Sequence, residues 1–125
     1  MATILVMDDD AYMRELMGLH LSNAGYDVLV AEDAIVAGHL VLQKSPDLIL
    51  ADIEMPFMNG LEFVQALKSD RSISHTPVIF VSSRDDLEDL AKSFGAVAFL
   101  KKPVLADQLL AAVAQEINAG ITVRP

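Results

Sequence analysis

Five short apolar runs, set apart by helix-like stretches, constrain this chain more than any other feature. The runs cover residues 3–7, 27–31, 48–51, 78–81 and 97–100. Apart from Thr3 and Asp27 at the head of the first two, they are continuously apolar rather than alternating. A strand with one wet face alternates; a continuous run suits a strand buried on both faces of a parallel sheet. Helical character falls on residues 12–24, 34–43, 61–68, 87–94 and 105–117. In the first of these, Met13, Leu16, Met17, Leu19 and Leu21 include the i, i+3, i+4 spacing of a helix that packs one face. Gly25 and Gly95 are placed to end the first and fourth helices, and Pro46 and Pro77 punctuate the approaches to the third and fourth strands. Parallel strands need crossovers, and right-handed helical crossovers supply them. The pattern predicts an α/β fold: a doubly wound five-stranded parallel sheet with five helices. The order 2-1-3-4-5 is taken from fold precedent at this size.

With 125 residues, 53% of them apolar, the chain is expected to form one domain with one real core. Residues 1–119 are read as that domain, and 120–125 as a tail or the start of a linker. Nine basic residues against 18 acidic ones leave a net charge of −9. Such a surface repels nucleic acid, so no direct DNA or RNA binding is expected. There is no cysteine, which rules out disulfide and thiolate chemistry and suits a reducing cytoplasm. The start lacks the basic flank of a signal peptide, and no apolar stretch approaches the roughly 20 residues of a membrane span. A cytoplasmic protein without a membrane partner is the expectation.

In doubly wound sheets a ligand binds beyond the carboxyl ends of the strands, where the strand order reverses. In the expected order that point lies between strands one and three. Polar residues stand at four of the strand ends: Asp8 and Asp9, Asp52, Ser82 and Lys102. Taken singly, each has an ordinary reading. An aspartate in the run Asp8-Asp9-Asp10 can cap the following helix, Asp52 can be a turn residue, Ser82 can bond to backbone, and Lys102 can be a surface lysine. Three aspartates exceed what a cap needs. Carboxylates brought within a few ångströms repel one another and raise their pKa values unless a cation is present. An all-oxygen donor set without Cys or a nearby His fits a hard divalent ion, so Mg²⁺ is the expected metal. A carboxylate nucleophile, Mg²⁺, a lysine and a hydroxyl together make a phosphoryl-transfer site, with Asp52 able to form an aspartyl-phosphate.

The sequence resembles the receiver domain of bacterial two-component response regulators, the group that includes the single-domain chemotaxis regulators. Four motifs match in order over nearly the whole chain. They are Ile4-Leu5-Val6-Met7-Asp8-Asp9-Asp10; the stretch from Pro46-Asp47 through Asp52-Ile53-Glu54-Met55-Pro56 to Met58-Asn59-Gly60; Pro77-Val78-Ile79-Phe80-Val81-Ser82-Ser83; and Ala98-Phe99-Leu100-Lys101-Lys102-Pro103. The resemblance implies a flavodoxin-like fold. It implies that Asp8, Asp9 and Asp52 hold Mg²⁺ with the Glu54 backbone carbonyl, and that Asp52 is the phosphoacceptor. Ser82 and Lys102 would meet the phosphoryl oxygens, and the Lys102-Pro103 bond would be cis. The donor would be a histidine kinase or a histidine phosphotransfer protein, and the output the binding of an unknown protein effector. Such a chain is a switch with autodephosphorylation, not a turnover enzyme. Ser83 and Phe99 depart from the usual types, a smaller residue and a tyrosine.

Two other readings share some of these residues. Asp8-x-Asp10 resembles the opening motif of haloacid-dehalogenase phosphatases, but Tyr12 does not suit it and the chain leaves little room for the remaining elements. A receiver-like interaction module that is never phosphorylated is expected to lack the acceptor, the lysine or the acidic pair, all of which are here. Further expectations concern the rim and the switch. Glu54 and Arg84, each two residues past a strand-end residue, should approach one another at the mouth and govern the phosphate's lifetime. Ser82 and Phe99 should form the switch, with Phe99 at least partly inward because it has no hydroxyl to hold it at the surface. The stretch 105–117 carries Asp107 and Glu116 but no Lys or Arg, so a monomer or weak dimer is expected. His20, His39 and His75 read as surface residues.

Overall fold

The computed structural model describes residues 1–55 and 57–123, with side chains through Ala119 at the C-terminal end. The strands are β1 (Thr3–Met7), β2 (Asp27–Ala31), β3 (Leu48–Asp52), β4 (Val78–Ser82) and β5 (Ala98–Lys101). The helices are α1 (Ala11–Asn23), α2 (Ala34–Lys44), α3 (Gly60–Lys68), α4 (Leu87–Phe94) and α5 (Ala106–Val123). All neighbouring strands are parallel, in the order β2-β1-β3-β4-β5. This is the doubly wound architecture that the apolar runs predict.

Alternate residues of the three inner strands feed two separate cores, which is why their runs are continuously apolar. Leu5, Met7, Ile49, Ala51, Val78 and Phe80 pack on one face against α2, α3 and α4. Ile4, Val6, Leu48, Leu50, Ile79 and Val81 pack on the other against α1 and α5. The edges are less covered. On β5, Ala98 and Leu100 pack inward while Phe99 and Lys101 face out.

The last three strands end one residue later than expected. β3 and β4 each run one residue further, to Asp52 and Ser82, and β5 is shifted to end at Lys101. Asp52 pairs with Val81, and Ser82 with Lys101, so the ladder continues into polar residues. The last helix does not stop at 117 but continues to Val123. A lone glycine such as Gly120 lowers helix stability by about 1 kcal/mol without ending a helix. Pro56, within the second motif, and Arg124 and Pro125 of the expected tail lie outside the described residues. Gly25 (φ 98°) and Gly95 (φ 75°) take the left-handed conformations that close α1 and α4.

Candidate functional site

The site forms where β1 and β3 deliver their last residues to one end of the sheet. The run Asp8-Asp9-Asp10 divides its labour. Asp10 caps α1, accepting from the backbone N–H groups of Tyr12 at 2.9 Å and Met13 at 3.4 Å. That leaves Asp8, fully buried, and Asp9, exposed, to face the mouth. Arg14 Nη1 donates to the Asp8 carbonyl oxygen at 2.8 Å, and the Asp10 N–H donates to Asp8 Oδ1 at 2.9 Å, so this turn is fixed from both sides.

Asp52 is 4% exposed at the end of β3. Its Oδ1 accepts from the Glu54 N–H at 3.3 Å. The carboxylates of Asp8, Asp9 and Asp52 offer oxygens that all lie within 4.8 Å of one another. Lys102 reaches in from the end of β5, with Nζ 3.1 Å from Asp8 Oδ2 and 3.4 Å from Asp52 Oδ2. Its position is set by its own N–H, which donates to the Ser82 carbonyl at 2.9 Å, and the following Lys102-Pro103 bond is cis.

The electrostatics follow from this crowding. Burial, and then the Asp8 charge, push the Asp52 carboxyl up from its ordinary 3.8 to about 7, more than Lys102 and the Glu54 N–H pull it down. Burial works against the Lys102 charge, but Asp52 and Asp8 outweigh it and raise its pKa. Asp8 Oδ2 is buried and has no well-directed hydrogen bond, although the Lys102 ammonium stands beside it as an ion partner. An under-satisfied buried oxygen among oxygen-only donors fits a hard divalent cation.

Ser82 is 1% exposed at the end of β4, and its Oγ accepts from the Arg84 N–H at 3.2 Å. The two rim residues do meet: Arg84 Nη1 donates to Glu54 Oε1 at 3.0 Å. The Glu54 side chain is thus engaged at the rim by Arg84. Phe99 is 41% exposed on β5, an edge strand, so its ring is partly covered and partly open to solvent.

Sequence reasoning overlooked three features. Gly60 starts α3 directly against β3: a Cβ there would collide with the Asp52 carbonyl oxygen, and its N–H donates to the Ile53 carbonyl at 2.9 Å. The motif Asn59-Gly60 carried that signal, since Asn59 also forms a capping box with Glu62. Phe57 is 81% exposed with φ 70°, and Arg84 grips Asp86 as well as Glu54.

A family model, the response regulator receiver domain, matches residues 4–114. The chain belongs to the response regulator receiver family. Curated relatives of this receiver domain include the DNA-binding dual master transcriptional regulator RpaA of Synechocystis. It is 35% identical over 115 residues, covering 90% of this chain and 48% of RpaA. The phosphate regulon transcriptional regulatory protein PhoB of Pseudomonas aeruginosa is 32% identical over 111 residues, covering 87% of this chain and 48% of PhoB. The receiver domain therefore spans about half the length of the curated relatives it matches. Among solved structures, the chemotaxis protein CheY4 of Vibrio cholerae superposes with a TM-score of 0.86 at 30% identity, covering 92% of this chain and 98% of CheY4. A receiver domain protein of Clostridium thermocellum gives a TM-score of 0.89 at 28% identity, covering 99% and 100%. Such domains serve signal transduction in two-component systems, as switches rather than as turnover enzymes.

Proposed function

We propose that this receiver domain is a phosphorylation-dependent switch whose acceptor is Asp52. Lys102 carries the reading: its ammonium stands between Asp8 and Asp52 and can follow a new anion formed on Asp52. An Asp52 carboxylate oxygen attacks the phosphorus of a phosphohistidine on a kinase or phosphotransfer protein, the P–N bond breaks, and the imidazole leaves. Lys102 and the Ser82 hydroxyl then meet the phosphoryl oxygens, while the Glu54 N–H steadies the carboxyl end. Asp8, Asp9 and Asp52, with the Glu54 backbone carbonyl, would hold Mg²⁺, which supplies charge neutralisation at the transferring oxygens. As Ser82 is drawn in, the partly exposed Phe99 turns further inward and changes the face of α4, β5 and α5 offered to a protein effector. The switch is read as residues 1–119, acting in the cytoplasm and as a monomer or weak dimer. No helix among the described residues is long and apolar enough to cross a membrane. RpaA and MtrA are described as DNA-binding; the −9 charge of this chain favours a protein partner for the receiver domain itself.

The test is mass spectrometry after incubation with Mg²⁺ and acetyl phosphate. One added phosphoryl group mapping to Asp52, lost in Asp52→Asn and without Mg²⁺, is expected. No adduct would end this reading, and repeated turnover of small phosphomonoesters would indicate a phosphatase instead.

A further inference from the structure

Arg84 ties three elements together at the mouth of the site. Its N–H bonds Ser82 Oγ at the end of β4, and its Nη1 bonds Glu54 after β3. Its Nε and Nη2 donate to Asp86 Oδ1 at 2.9 Å and Oδ2 at 3.1 Å. Asp86 stands immediately before α4, in the place where a carboxylate ordinarily accepts an amide of the first turn. It makes no such bond. Helices α1, α2 and α3 are each capped by a side chain, from Asp10, Asp33 and Asn59, and all three of those residues have extended backbones. Asp86 instead has φ −92° and ψ 18°. It is a capping residue type at a capping position, with its carboxylate occupied by an arginine fork.

We propose that Arg84 is a latch that holds Asp86 away from the N-terminus of α4, and that in the activated state Arg84 lets go and Asp86 caps the helix. The second half rests on the reading of Asp52 as phosphoacceptor. Ser82 Oγ and the Arg84 backbone are bonded neighbours on one short loop, so drawing Ser82 toward a phosphoryl group moves the anchor of the guanidinium. The phosphoryl group also adds negative charge beside Glu54, which competes with Asp86 for the same cation. Freed, Asp86 needs mainly a rotation of ψ into the extended region to accept from the Glu88 or Asp89 N–H. The Asp85–Lys101 pair, at 2.9 Å, holds the same loop to β5 from the other side. Both ties are solvent-exposed ion pairs of the weak kind, which suits a contact that must release. The bistable element is one residue's backbone, and its readout is the order of the first turn of α4.

Amide hydrogen exchange on the full chain tests this. In unphosphorylated protein, Arg84→Gln should slow exchange of the Glu88 and Asp89 amides roughly fivefold, the size of a typical cap. Adding Asp86→Ala to Arg84→Gln should return exchange to the parent rate or faster. Parent protein treated with Mg²⁺ and acetyl phosphate should show the same slowing, and Arg84→Gln no more than it already has. Unchanged or faster exchange in Arg84→Gln overturns the latch, whether or not Asp52 takes a phosphoryl group. Phosphorylated parent without added protection of α4 overturns the activated-state cap. Slowing in Arg84→Gln with no phosphoryl adduct keeps the latch and sinks the phosphoacceptor reading instead.

Discussion

A single methyl group at position 60 would separate α3 from β3. A Cβ there meets backbone atoms of Asp52 and Ile53, which cannot swing aside as a side chain would. Gly60→Ala should therefore cost about 1–3 kcal/mol in chemical denaturation, the usual range for overpacking; stability equal to the parent would mean the helix is free to shift. Phe57 shows the opposite case. Its φ of 70° suits glycine, and its ring is 81% exposed with little burial to lose. Phe57→Gly should relieve a left-handed penalty and lose part of that gain to unfolded-state entropy, leaving roughly 0.5 kcal/mol of stabilisation. A lower melting temperature would show that the ring is held by packing. Asp52 ties stability to pH. Folded, it keeps its proton to about pH 7, while the unfolded chain releases it near 3.8. The folded state thus binds the extra proton, and metal-free stability falls as pH rises through that window. With a chelator present, Asp52→Asn should melt above the parent at pH 7 and higher, and the difference should vanish below about pH 4. A difference independent of pH would remove the carboxyl as its cause.

The elements follow the apolar pattern closely, and their departures have a common cause. An apolar run ends at the first charged or hydroxyl-bearing residue, but a ladder ends where backbone pairing ends. Asp52, Ser82 and Lys101 lie in that gap, so β3, β4 and β5 outlast their hydrophobic signal where the chemistry begins. That Asp8, Asp9, Asp52 and Lys102 come together was legible because each sits at or just past a strand end in sequence. The grip of Arg84 on Asp86 was not, since residues two apart in a loop have no periodicity to place them. Nor was the degree of exposure of Phe99, on a strand with no neighbour beyond it. Helix entry is the clearest element-scale test. Asp10→Ala removes both acceptor bonds at the start of α1 and should cost about 1 kcal/mol by thermal melting, without loss of the carboxylate cluster. Loss of all Mg²⁺ response in that variant would place Asp10 among the ligands.

At the scale of the molecule, the site works against the fold that builds it. Two cores hold Asp8 and Asp52 in place, where burial and the Asp8 charge oppose ionisation of Asp52. Millimolar Mg²⁺ should raise the melting temperature, by the equivalent of about 2.7 kcal/mol at a hundredfold excess over Kd, and Asp9→Ala should abolish most of the response. An unmoved melting temperature in the parent would refute the acidic pocket as an ion site.

The two cores also differ in when they can exist. The core under α2, α3 and α4 draws on a continuous middle stretch of chain together with β1. The other joins Met17 and Leu21 of α1 to Leu109 and Val113 of α5, near opposite ends of the sequence. On the ribosome, one face of the sheet can be covered while the chain is still growing. The opposite face has only α1 over it until α5 has left the exit tunnel. A nascent chain stalled before Ala106 carries an open apolar sheet face with Ile4, Leu48, Leu50 and Ile79 on it, the kind of surface that chaperones and proteases bind. Closing this face of the sheet therefore rests on α5.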